Sequence, residues 1–212
     1  QVLSSELELV TSCNEEVRLM LDKTLSIYEM VLHGLRDEDR KGVKKAMSEA
    51  NELYVKFRDK RTYEVVPTLE SMEMNALDLE QEYVQVVDYS YEITKSLKAV
   101  SEATFSYIDN NHAAFTKEQI EDLEMIYKIL TEAFNSYNEM DQKNDYTQFS
   151  VVTNMRDVIF DLYKKLNKRQ IKRVKAGSST TRSSILFLNL VNESKIITLQ
   201  SGNLLKAHRN FK

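Results

Sequence analysis

The chain contains four glycines and one proline in 212 residues, and that scarcity limits its architecture more than any other feature. Sheets need tight turns, and tight turns draw on Gly and Pro for their backbone angles. With so few of either, the economical solution is long helices joined by a handful of loops. Hydrophobic residues make up 42% and charged residues 29%, enough for a real core and too apolar for disorder.

Apolar spacing marks six helices. The first reads from about Leu3 to Leu35 through Leu7, Val10, Val17, Met20, Thr24, Ile27 and Val31, with Cys13 or Asn14 filling one gap. Gly34 and the charges of "HGLRDEDRKG" break the pattern, and Asp37 or Asp39 caps the second helix, which carries Val43, Met47, Ala50, Tyr54 and Phe57. Pro67 predicts a kink or short break before the third helix. That helix runs to about Ile108 with apolar residues on more than one side, including Val84, Val87, Tyr91, Val86, Ile93 and Leu97. "DNNHAAF" is the clearest loop. In "FTKEQI", Thr116 and Gln119 form a capping box and Phe115 can staple onto Ile120.

The fourth helix then shows Ile120, Leu123, Tyr127, Leu130, Phe134 and Tyr137. The fifth carries Val152, Met155, Ile159, Leu162 and Leu166 and ends near Gly177. The sixth, from about Ser183 to His208, carries Leu186, Leu190, Ile197 and Leu204. Short connections make sequential helices antiparallel. The expectation is an all-α unit of two up-down-up three-helix bundles, residues 1–108 and 116–212, joined by the loop 109–115.

Catalytic chemistry is poorly provided for. His33, His112 and His208 sit far apart, and no nucleophile elbow, P-loop, dinucleotide fingerprint or CxxC pair occurs, so the chain is read as non-enzymatic. Cys13 has acids and no base around it, so nothing in its local sequence lowers its pKa. Acid pairs one helical turn apart (Asp88 with Glu92, Glu118 with Asp122, Asp157 with Asp161) are what helical metal sites use. With 33 acids in the chain, about five such pairs arise by chance, and the expectation is no metal and no cofactor. Asp88, Glu92, Asp157 and Asp161 are the residues to watch. No apolar run approaches the ~20 residues of a membrane span. The first residue is not Met, as expected of a piece of a longer protein.

One charge pattern stands out in a chain of net charge −4. Lys164, Lys165, Lys168, Arg169, Lys172, Arg173 and Lys175 fall within twelve residues that contain no acid. Lys164, Lys168 and Lys172 are spaced i,i+4, as are Lys165, Arg169 and Arg173, so like charges repel along two rows. The block is either a solvated helix end complementing the helix dipole or a face turned to an anionic membrane or an acidic partner. In the second case Leu166, Ile171 and Val174 would hold its other side to the bundle. Nucleic acid fits poorly with the negative net charge.

Three stretches, "YVQVVDYSYEITKSL" (Tyr83–Leu97), "DNNHAAFTKEQIEDLE" (Asp109–Glu124) and the segment from Arg169 to Phe211, resemble the cytosolic C-terminal extension of bacterial inorganic phosphate transporters of the PiT family. More distantly the chain is similar to the PhoU-like domain. The resemblance implies a regulatory or interaction domain on the cytoplasmic side of the inner membrane. Its partner would be a transmembrane phosphate-transport domain of the same chain, and a homodimer is a further partner to consider. PhoU proteins hold metal through acids four residues apart. The matching positions here are Tyr91 and Lys95, and Lys195 and Leu199, so the resemblance implies that those metal sites are lost. Two alternatives stay open: a free-standing PhoU-like metal-binding regulator, and a structural helical adaptor unrelated to phosphate.

Overall fold

The computed structural model describes residues 2–72 and 77–210. Among them there are no strands, and six long helices carry the fold. They are α1 (Val2–Asp37), α2 (Arg40–Asp59), α4 (Leu77–Asp109), α5 (Lys117–Lys143), α6 (Phe149–Lys175) and α7 (Thr181–Asn210), with a short α3 (Val65–Ser71) between α2 and α4.

The helix ends follow local chemistry. Asp39 accepts from the Gly42 amide at 3.0 Å and caps α2. The capping box of α5 is complete: the Gln119 amide donates to Thr116 Oγ1 at 3.2 Å, and the Thr116 amide to Gln119 Oε1 at 3.0 Å. Asn144 and Gly177 take left-handed backbone angles just past α5 and α6, where such angles end helices.

Pro67 does not itself interrupt the helical turns, but the break expected ahead of the third long helix is present, with α3 ending at Ser71 and α4 starting at Leu77. Pro67 lies in the first turn of α3, and a π turn, Lys60–Glu64, links α3 to α2. In a regular helix the proline ring would meet the carbonyl four residues back, at Tyr63; the widened turn falls there. Gly34 does not end α1 either. A Cβ there would lie 2.0 Å from Val43 Cγ2, so glycine is what lets α1 and α2 close on each other.

Named contacts give the topology. Glu16 pairs with Lys60, and Gly34 abuts Val43, so α1 and α2 are antiparallel. Arg40 reaches Asp109 and Arg61 reaches Asp88, which sets α4 antiparallel to α2. Asp122 meets Arg169 on α6, and Tyr163 meets Thr198 on α7 while Gln170 meets Ser184. Helices α5, α6 and α7 therefore run up-down-up, as do α1, α2 and α4. Across the two triplets, Arg36 faces Glu124 and Arg18 faces Asp141 between α1 and α5, and α4 packs broadly along α7. The buried side chains form one continuous cluster through both triplets.

The expected faces are largely the buried ones. Val17, Met20, Ile27, Val31 and Leu35 of α1 are buried, with Cys13 filling the gap. Leu7 is 66% exposed and lies outside the core. On α2 the seam is Val43, Ala46, Ala50, Leu53 and Phe57, while Met47 and Tyr54 sit at its edge. The two-sided burial of α4 follows from its position between α1, α2 and α7. Ile159 and Leu166 are buried on α6, whereas the side chains of Val152 and Met155 lie outside the described residues.

Candidate functional site

The basic block divides into two populations. Asp122, one turn into α5, is almost wholly buried and accepts from two arginines of α6: Arg169 Nη1 at 2.7 Å on Oδ1 and Arg173 Nη2 at 2.5 Å on Oδ2. Arg173 is only 13% exposed at its side chain, donates to Gln170 Oε1 at 3.0 Å and lies over the Phe187 ring. The buried amide of Gln119 donates to Gln170 Oε1 and to Ser179 Oγ. Gln170 donates in turn to Ser179 and Ser184, both at 3.0 Å. This network joins α5, α6, the following loop and the start of α7. One carboxylate thus neutralises the Arg169–Arg173 repulsion, and these two arginines serve the fold. Sequence spacing singled out both arginines as contacts for an outside surface; their acid partner came from another helix.

Lys164, Lys165, Lys168, Lys172 and Lys175 are exposed, and among the described residues none has an ion-pair partner. Leu166 is buried as expected, but Ile171 and Val174 are 48% and 50% exposed. They do not hold the helix to the bundle; Leu166, Tyr163 and Gln170 occupy that side. Beside them, the first turns of α7 expose Ile185 and Leu188. This end of the molecule therefore presents cations interleaved with aliphatic side chains.

The candidate metal residues are not gathered. Asp88 takes Arg61 Nε at 3.0 Å, and Glu92 is half-buried one turn on. Asp157 and Asp161 are exposed on α6. Among the described residues no three His, Cys, Asp or Glu side chains converge. Cys13 is buried, and burial pushes its thiol up to about 12, so it is protonated and unreactive at neutral pH.

Two features depend on residues distant in the chain and are not legible in local spacing. Asp141 near the end of α5 meets His208 Nε2 at 2.5 Å and Arg18 Nη2 at 2.8 Å, with His208 fully buried against the Tyr137 ring. Burial and the Asp141 charge push the Tyr137 hydroxyl well above its ordinary range. The second feature is a cavity of about 550 Å³ between α5, α6 and α7, walled by residues including Leu130, Phe134, Ile159, Phe160 and Leu205. Its one sequence signal is Gly202, a glycine inside a long helix. Among the described residues no helix is long and apolar enough to cross a membrane. No family model, curated protein or solved structure matches this chain.

Proposed function

We propose that this chain is a non-catalytic interaction domain that docks through the exposed end of α6 onto an anionic membrane surface, as the cytosolic part of an inorganic phosphate transporter. The observation that carries the docking is the face made by Lys164, Lys168, Lys172 and Lys175 around the half-exposed Ile171 and Val174. A solvated helix end accounts for the cations, while exposed aliphatic side chains taken singly are common; here two of them lie among the lysines. An interfacial face combines both, because lysines meet lipid phosphates while aliphatic groups enter the headgroup boundary. The phosphate-transport context rests on the resemblance of the three stretches Tyr83–Leu97, Asp109–Glu124 and 169–211 to PiT-family extensions. In that reading phosphate and its coupling ion cross through a transmembrane part, and this domain senses or transmits a signal.

The purified chain should cosediment with vesicles of phosphatidylglycerol at low salt and release as salt rises, since screening shortens from roughly 30 Å at 0.01 M to about 3 Å at 1 M. Each lysine near such a surface contributes about 1 kcal/mol. Replacing Lys164, Lys168, Lys172 and Lys175 by Gln should therefore weaken binding on the order of a hundredfold or more. Arg169 and Arg173 are left in place because they hold Asp122. Absence of wild-type binding at low salt, or equal binding by the four-lysine variant, overturns the docking reading.

A further inference from the structure

The cavity between α5, α6 and α7 has the size and lining of a small-molecule site. Its volume of about 550 Å³ falls within the ~300–1,000 Å³ of small-molecule sites. The walls are largely aliphatic and aromatic, and the cations among the lining residues are solvent-exposed. Arg156 and Lys206 are exposed lining residues. Arg156 also lies over the Phe160 ring at 5.4 Å, Lys195 covers the same ring at 5.3 Å, and Arg209 covers Phe149 at 4.3 Å. Against these stand Asp157, also in the lining, and Asp161 one turn further along α6. These exposed groups are net positive, and the other polar lining residues, such as Thr198, Ser201 and Asn203, carry only hydroxyl and amide groups.

Gly202 makes the cavity more than a packing fault. Glycine inside a helix costs stability relative to alanine, and it is retained where the backbone or a close neighbour demands it. Neither applies here. Its φ is ordinary for a helix, and a Cβ built on it would meet nothing within 4 Å. What the missing side chain does is leave room in the cavity it lines.

We infer that this cavity binds a small amphipathic monocarboxylate, a medium-chain fatty acid in chemical class, with its chain among Leu130, Phe134 and Phe160 and its carboxylate at Arg156 and Lys206. The apolar walls desolvate the chain, and the two cations fix its direction by charge-assisted hydrogen bonds. The site lies apart from the docking face of α6 and does not depend on that reading.

The test is calorimetric titration of the whole chain with monomeric dodecanoate. Saturable binding at one site per chain is expected. Gly202→Leu, which fills the gap, should weaken it at least tenfold with helicity by circular dichroism unchanged. Thr153→Phe, which narrows the mouth from α6, serves should Gly202→Leu fail to fold. Arg156→Gln with Lys206→Gln should weaken dodecanoate about tenfold and leave dodecanol unaffected, and dodecyltrimethylammonium should bind at least tenfold more weakly than dodecanoate. The inference is overturned by an absence of saturable dodecanoate binding, by a folded cavity-filling variant that binds like wild type, or by equal binding of the cationic analogue.

Discussion

At Asp122, two arginines that repel along one helix meet a single carboxylate supplied by another. Both oxygens are used, and each guanidinium binds its own. Breaking a buried ion pair from one side costs about 3–5 kcal/mol, because the partner charge is left behind. Arg169 still reaches solvent at 40% side-chain exposure and Arg173 at 13%, so Asp122→Ala should lie near the lower end, about 3 kcal/mol. Urea unfolding of this variant against wild type measures it. Glu121→Ala is the control, since Glu121 makes an exposed pair with Lys117 at 3.7 Å and such pairs contribute roughly 0–1 kcal/mol. An equal loss in both variants would mean that Asp122 is an ordinary surface acid. The parallel row Lys164, Lys168, Lys172 has no such partner among the described residues, which is why it remains the part of the block available to an outside surface.

At the scale of the element, irregular residues do different work according to their neighbours. Pro67 sits in a first turn preceded by a π turn, which removes the clash that would otherwise kink the helix. Gly34 permits the close approach of α1 to α2, with Val43 where its side chain would be. Gly202 has neither reason, so alanine there should add helix propensity without any clash. Gly202→Ala is expected to stabilise the chain by about 1 kcal/mol, a rise in Tm of roughly 2–4 °C for a chain of this size, read by thermal circular dichroism. A fall in Tm would show that the glycine relieves a contact that the structure lacks. The buried Ser194 and Thr198 of α7 bond their own helix carbonyls and also Tyr28 and Tyr163 of other helices, so these two hydroxyls are satisfied on both sides.

The whole molecule is held by contacts that ignore the division into triplets. Tyr28 of α1 bonds Ser194 of α7 at 2.7 Å and stacks on Tyr127 of α5. Arg18 of α1 reaches Asp141 of α5, which also takes His208. With one continuous core, the two triplets should unfold together. Far-ultraviolet circular dichroism and near-ultraviolet tyrosine signals should give coincident urea transitions. Two separated transitions would show that residues 1–108 and 116–212 are independent units despite the shared core.

The amino-acid sequence by itself determined the class of fold, the number of long helices, most of their buried faces and several of their ends. Those properties are local: turn residues, i,i+3 and i,i+4 spacing, and the capping box at Thr116 and Gln119 all act within a few positions of the chain. Tertiary structure alone decided which cations are available, because the partner of Arg169 and Arg173 lies about fifty residues away on another helix. It also decided that Ile171 and Val174 face outward, that Asp141 and His208 meet, and that Gly202 opens onto a cavity. Spacing along one helix fixes which side chains share a face; what that face meets depends on how the other helices pack against it.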